Sequence, residues 1–175
     1  MNGVILRRAQ ERDLESIARI NAEVFLGDRD RPESAREWVE CLWRAFPLYQ
    51  YLVVESGGEL AGYAGWQLHG GFHRAEPVIE LDQIGIDSKF QGQRLAPQLT
   101  HYSMLELADW LKKKNDRIES HITFVVWVYA LNFNAISVYA KDFTDGVCGM
   151  CTQFGNRAQV MLRVRLPVVM PVREK

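Results

Sequence analysis

The run Ile84-Gly85-Ile86-Asp87-Ser88-Lys89-Phe90-Gln91-Gly92-Gln93-Arg94-Leu95-Ala96 leads from the end of an expected strand, through a short polar turn, into the start of an expected long helix. The first turn of a helix carries amides without intrahelical partners and the positive end of the dipole, so this turn is a candidate cradle for an anion such as phosphate. Read alone it serves equally well as a plain connector, since every helix has such an end and the turn holds one glycine, Gly92. Just before it, Glu80 and Asp82 occupy alternate positions of the strand and project from one face of the sheet. Like charges that close would raise one of the two pKa values, the condition for a base working near neutral pH; a solvated sheet face or an ion pair with Arg74 or Arg94 is the alternative. Further on, Asn132 and Tyr139 are seven positions apart, two helical turns, which sets an amide and a phenol along one helix face.

These groups need a scaffold, and the chain supplies an alternating one. Val4 to Ala9 reads as a strand, and from Asp13, a good N-cap residue, Leu14, Ile17, Ala18, Val24 and Phe25 fall at helical spacing. Ser34-Ala35-Arg36-Glu37 has the form of a capping box, with Trp38, Cys41, Leu42 and Ala45 as the apolar face of a helix that Pro47 stops. Tyr51 to Glu55 and Leu60 to Leu68 flank Ser56-Gly57-Gly58-Glu59, a hairpin turn in which glycine supplies positive φ. Val78 to Ile86 is a strand, about Arg94 to Lys114 a helix with Pro97 in its first turn and three lysines at its end, and Ile122 to Tyr129 a strand. Asn132 caps a helix carrying Ala135, Ile136 and Tyr139, and Val147 to Thr152 pairs with Ala158 to Leu166 across Phe154-Gly155-Asn156-Arg157. The order β-α-α-β-β-β-α-β-α-β-β implies an α/β (α+β) fold with one mixed sheet and helices on both faces. Residues 1–166 are expected as a single domain and 167–175 as a tail.

Composition excludes several classes. The 175 residues are 47% apolar and 25% charged, with net charge −1 from 21 basic and 22 acidic residues, as for one ordinary globular domain. A chain of this length buries roughly 70% of its unfolded surface without staples, which rules out a small disulfide scaffold. No basic block exceeds Lys112-Lys113-Lys114, so nucleic acid is not an expected partner. No apolar run reaches the ~18 residues of a membrane span, and the opening residues lack a secretory pattern, so no membrane partner and a cytoplasmic location are expected. Three cysteines, an odd count, fit reduced thiols.

Other chemistry-bearing residues have plainer readings. Cys148 and Cys151 have redox or zinc spacing, but residues three apart on a strand face opposite sides, so packed thiols are expected and no metal. His69 and His73, around Gly70-Gly71, belong to a loop better suited to substrate contact than to a metal pair. Trp38, Trp43, Trp66, Tyr49 and Tyr51 are candidates to line an acceptor pocket, although aromatics at such spacing are more often core.

Gln91 through Ala96 resembles the Gln/Arg-x-x-Gly-x-Gly/Ala loop of the GNAT (Gcn5-related) N-acetyltransferase superfamily, preceded by that family's fourth strand, and Asn132-Phe133-Asn134-Ala135-Ile136-Ser137-Val138-Tyr139 resembles its Asn-x-x-Ala-Ile-x-x-Tyr helix after strand five. The element order agrees over nearly the whole chain. The resemblance implies a GNAT fold of about seven strands, mostly antiparallel, with strands four and five splayed around acetyl-CoA. It implies that Gln91, Gly92, Gln93, Arg94, Leu95 and Ala96 hold the pyrophosphate, that Ile84, Gly85 and Ile86 line the pantetheine arm, and that Asn132 contacts the cofactor. Tyr139 then protonates the departing thiolate, and Glu80, eleven residues before Gln91 as in family members with a strand-four base, deprotonates the amine, with Asp82 second in line. Direct attack in a ternary complex follows, the oxyanion held by the Ile86 amide. Two departures stand out: Arg94 replaces the middle glycine, and Asp142-Phe143-Thr144-Asp145-Gly146 replaces the usual Gly-Phe after the tyrosine.

The expected function is acetyl transfer from acetyl-CoA to a primary amine. Glu76, Glu80 and Asp82 make the acceptor side acidic and favour a cationic amine, either small or a protein amino group. The alternative is a non-catalytic acyl-CoA-binding sensor or complex subunit of the same fold. Nothing in these residues excludes a homodimer or a longer acyl chain.

Overall fold

The computed structural model describes residues 3–25, 32–152 and 157–168. Seven strands form a mixed sheet in the order β1-β2-β3-β4-β5-β7-β6. They are β1 (Val4–Arg8), β2 (Tyr49–Ser56), β3 (Glu59–His69), β4 (Val78–Ile86), β5 (His121–Tyr129), β6 (Gly146–Cys151) and β7 (Gln159–Pro167). The helices are α1 (Leu14–Val24), α2 (Pro32–Arg44), α3 (Leu95–Lys114) and α4 (Phe133–Tyr139), with short 3₁₀ turns at Glu11–Asp13 and Ser88–Phe90. β4 and β5, joined through α3, are the parallel pair. No helix among the described residues is long and apolar enough to cross a membrane.

The chain divides into two compact units, residues 1–67 with 81–103 and residues 68–80 with 104–175. In the first, β1 and β3 pair antiparallel with β2, and Gly57 and Gly58 at φ 64° and 84° close the two-residue turn between Ser56 and Glu59. Ile17, Ala18 and Ile20 of α1 and Val39 of α2 bury with Tyr49, Tyr51, Val53 and Tyr63 as one core cluster. In the second, β7 pairs antiparallel with both β5 and β6, and Ile122, Phe124 and Val126 bury fully or nearly so.

Both early helices depart from expectation at their ends. Asp13 makes no side-chain cap to α1. Its carboxylate accepts the forked guanidinium of Arg7 at 2.7 and 3.0 Å and the Gln10 N–H at 2.7 Å, a stronger use of its oxygens than capping. Phe25 lies past the helix in extended backbone, 37% exposed. α2 begins at Pro32, which suits a first helical turn, so Ser34 lies inside the helix and the capping box does not form. The buried stripe runs through Ala35 and Val39, while Trp38 and Cys41 face solvent. The expected turn at Phe154-Gly155-Asn156 and most of the expected tail lie outside the described residues; Pro167 closes β7, and Val168 donates to Ser120 O at 2.8 Å.

Candidate active site

In the first unit, the second half of β4 delivers the chain to a turn whose shape is set by Asp87. Its N–H donates to Ala61 O at 3.0 Å, and its Oδ1 accepts from Lys89 N–H at 3.0 Å, which starts the Ser88–Phe90 turn. Arg19 of α1 donates to Oδ2 at 2.6 Å. Burial alone would raise the Asp87 carboxyl, but the hydrogen bonds from Arg19 and Lys89 and their charges hold it below the usual carboxylate range. An ionised, nearly buried aspartate therefore anchors the end of β4 to α1.

The next residues stand open to solvent. Gln91 is extended and its Nε2 donates back to Ile86 O at 3.1 Å. Gly92 has φ 80°, and Arg94, the one non-glycine residue with positive φ among those described, has φ 58°. A Cβ at Gly92 would meet nothing within 4 Å, so backbone conformation rather than space calls for glycine there. Arg94 takes a left-handed conformation that a glycine would adopt at no steric cost. Leu95, 3% exposed, then turns inward as the first residue of α3, and its neighbouring amides are those a helix leaves without internal partners. Gln91, Gly92, Gln93 and Arg94 are exposed, and Ala96 is half-buried. An open, twice left-handed turn at a helix start has the shape and donors to fit a pyrophosphate. Upstream, Gly85 packs against β3 and α1: a Cβ there would meet Tyr63 at 2.8 Å and Ile20 at 2.9 Å.

Asp82 belongs to the same unit, and Tyr49 donates its hydroxyl to Asp82 Oδ2 at 2.7 Å. Burial first, and then the Asp82 charge, push the Tyr49 hydroxyl well above its ordinary range, so it remains a donor. The Asn21 amide links Tyr63 at 2.7 Å and Gln83 at 3.1 Å, tying α1 to β3 and β4.

In the second unit, Glu80 Oε2 lies 2.7 Å from His69 Nε2. Arg74, one of the two arginines of the alternative ion-pair reading, donates from Nε to Gly70 O at 2.9 Å. Glu80 and Asp82 thus each have a hydrogen-bonding neighbour of their own. Asn132 caps α4, its Oδ1 accepting from Ala135 N–H at 3.1 Å. It also lines a cleft of about 640 Å³ with Tyr129, Leu131, Arg157 and Ala158, where the Arg157 guanidinium lies 5.6 Å from the Tyr129 ring centre. Tyr139, 9% exposed, packs edge-on against Phe143 at 6.0 Å, and burial pushes its hydroxyl up to about 12. Phe143 is fully buried, and Gly146 at φ 74° turns the chain into β6. The departure from Gly-Phe after Tyr139 is thus bridged by a buried phenylalanine and a later left-handed glycine.

The aromatics named as candidates for an acceptor pocket divide. Trp66, Tyr49 and Tyr51 are core, at 1%, 3% and 3% exposure, whereas Trp38 is 49% exposed. Cys148 and Cys151 are free, and no group of three or more metal-ligating side chains occurs among the described residues. Sequence reasoning gives Asp87 no role, although Asp followed two residues on by a free N–H is a turn signature. It missed Arg19, the His69 contact and the Tyr49 contact, because each joins residues distant in sequence.

The family model described as Acetyltransferase (GNAT) family matches residues 14–143. The N-alpha-acetyltransferase RimI of Mycobacterium tuberculosis (strain ATCC 25618 / H37Rv) is 33% identical over 103 residues, 57% of this chain and 57% of that relative, so the match spans little more than half of its length. Among solved structures, the ribosomal-protein-S18-alanine N-acetyltransferase from Escherichia coli superposes with TM-score 0.62 at 20% identity, covering 99% of both chains. Ribosomal-protein-alanine N-acetyltransferase from Brucella melitensis gives 0.62 at 19% identity over 93% of this chain and 99% of that one. The yncA structure from Salmonella typhimurium, solved with its cofactor acetyl-CoA, gives 0.63 at 20% identity over 94% and 95%. At these identities the structural likenesses speak to the fold alone.

Proposed function

Because this chain belongs to the acetyltransferase (GNAT) family, we propose that it transfers the acetyl group of acetyl-CoA to a primary amine, with the cytoplasm as its setting. The observation that carries this reading is the Gln91–Ala96 turn: Gly92 and Arg94 are both left-handed, four successive residues are exposed, and a 20-residue helix begins at Leu95. Backbone amides of Gln91 to Ala96 hold the pyrophosphate, helped by the Arg94 guanidinium, a bidentate partner for phosphate oxygens. Ile84, Gly85 and Ile86 line the pantetheine arm, with Asn132 as a further contact.

When bound, acetyl-CoA supplies an activated thioester. The rest falls to the chain's own side chains. An alkylammonium with a pKa near ~10.4 is almost wholly protonated at neutral pH, so its proton must be removed before attack. Glu80 takes that proton, directly or through one water, and the Ile86 N–H holds the oxyanion. Tyr139, kept protonated by burial, donates its proton to the leaving thiolate. No covalent enzyme intermediate is needed.

Among amines, the protein N-terminus is the first choice. The relative with 33% identity is named an N-alpha-acetyltransferase, and two of the fold neighbours are named for ribosomal-protein alanine. Incubation of the protein and acetyl-CoA with an alanine-starting peptide, a lysine-containing peptide blocked at its N-terminus, and spermidine, followed by mass spectrometry, tests the assignment. Acetylation of the first peptide supports it; acetylation of either other amine alone moves the acceptor; acetylation of none contradicts the enzyme reading in favour of an acyl-CoA-binding module.

A further inference from the structure

Tyr49 opens β2 with 3% of its surface exposed, its ring edge-on to Tyr51 at 5.1 Å. Its hydroxyl nevertheless reaches Asp82 on β4, at 2.7 Å. The reach depends on residue 65 of the intervening strand β3. A Cβ there would lie 2.2 Å from the Tyr49 hydroxyl oxygen and 2.9 Å from Cζ, so only glycine leaves the phenol its slot. Glycine within a strand weakens it, and the position is one where another side chain must pass close by.

The carboxylate at the end of this arrangement is exposed, and hydration alone would serve its charge. A buried donor adds fixed orientation: one oxygen is occupied, the rotamer is held, and the second oxygen is left for another partner. Among the described residues the Asp82 side chain has no further hydrogen-bond partner. The two candidate carboxylates also differ in what backs them. His69, the neighbour of Glu80, presents a ring nitrogen that donates or accepts according to its tautomer. Tyr49 gives its one hydroxyl proton to the Asp82 carboxylate.

We propose that Tyr49 is a positioning residue that, from the slot opened by Gly65, holds Asp82 as a fixed anionic contact for a cationic group of the acceptor amine. The inference rests on the acetyltransferase reading above and deepens it: charge recognition falls to Asp82, proton acceptance to Glu80. Nothing in the motif positions announces this division, since Tyr49, Gly65 and Asp82 lie on three different strands.

The test is steady-state kinetics on whichever of spermidine, the alanine-starting peptide or the lysine-containing peptide the wild-type protein acetylates fastest. Asp82→Asn should raise the KM of that amine by about tenfold, the worth of one charge-assisted contact, with kcat within about twofold and the KM of acetyl-CoA unchanged. Tyr49→Phe should raise the amine KM about fivefold in the wild-type background and leave it unchanged in the Asp82→Asn background. Gly65→Ala, checked for native circular dichroism, should reproduce the Tyr49→Phe effect. A fall in kcat at constant KM in Asp82→Asn would overturn the proposal by making Asp82 the base, and an equal Tyr49→Phe effect in both backgrounds would reduce Tyr49 to a packing role. Wild-type turnover with the wrong variant pattern removes this inference alone; no wild-type turnover on any of the three amines removes the acetyltransferase reading as well.

Discussion

Arg19 on α1 and Asp87 at the end of β4 meet at 2.6 Å, so the residue that starts the turn leading into α3 is tied to a residue 68 positions earlier in the chain. Asp87 also accepts from the Lys89 N–H, and only 3% of it is exposed. Replacing Asp87 by Ala leaves the Lys89 amide without its acceptor and the Arg19 guanidinium without its anion. The expected cost is about 1–3 kcal/mol of stability, with several-fold weaker acetyl-CoA binding, read by chemical denaturation and by calorimetry. Full retention of cofactor affinity in a destabilised Asp87→Ala protein would separate the anchor from the binding turn.

Arg94 carries its side chain at φ 58°, where a non-glycine residue costs roughly 1–2 kcal/mol. Arg94→Gly relieves that cost but gives the unfolded chain extra freedom worth about 0.5–1 kcal/mol, so net stability should change by less than about 1 kcal/mol. Affinity for acetyl-CoA should fall about tenfold through loss of the guanidinium, and less so at high salt. Unchanged affinity would mean that the side chain does not touch phosphate.

Tyr139→Phe should lower kcat by about a hundredfold or more, the usual range for loss of a positioned general acid, while the acetyl-CoA dissociation constant stays the same. Since burial pushes the Tyr139 hydroxyl up to about 12, the wild-type rate should show no alkaline decline from this group below about pH 10. Rates equal to wild type in the phenylalanine variant would remove Tyr139 from the chemistry.

Glu80→Gln should lower the rate most at low pH, where few amines are free, and recover as pH rises and the amine deprotonates itself. A pH-independent loss would move the proton to another acceptor.

Asp13 and Asp87 are both held below the usual carboxylate range in the folded protein: burial opposes this in each case, and the hydrogen bonds from Arg7 and Arg19 prevail. A depressed folded-state pKa means that the unfolded chain binds the proton more readily. Their contribution is therefore complete above about pH 5, and is lost as pH falls through the unfolded value near ~3.9 and on past the folded ones. Denaturation curves from pH 6 to 3 should show stability falling steeply at the acid end, and Asp13→Asn should flatten that fall while costing about 1–3 kcal/mol at pH 7.

Much of this was legible in the sequence because it is local. The bounds of β4 follow from a β-rich run closed by Asp87-Ser88, and the Gly57-Gly58 turn follows from the positive φ that a two-residue hairpin demands. The Asn132 cap follows from a side-chain oxygen three residues ahead of a free amide. The helix α2 departs from expectation because Ser34 and Glu37 match a capping box in spacing, while Pro32, an equally good first-turn residue, sets the true start; the buried stripe is Ala35 and Val39 because tertiary packing selects that face. Tyr49 could not be linked to Asp82 from spacing at all. That contact depends on the register of β2 against β3 and on the absence of a side chain at Gly65. The His69 neighbour of Glu80 was hidden because it joins residues on two different strands.

The most direct test of the Gln91–Ala96 turn as an acetyl-CoA cradle is a thermal-unfolding titration with acetyl-CoA, coenzyme A and a nucleotide control, with thiol release followed in the same wells after adding the alanine-starting peptide. At about 100 times the dissociation constant, acetyl-CoA should stabilise the protein by about 2.7 kcal/mol, or roughly 5–11 °C for a chain of this size, with thiol release on addition of peptide. No shift with either coenzyme, or an equal shift with the nucleotide control, would contradict the assignment of the turn.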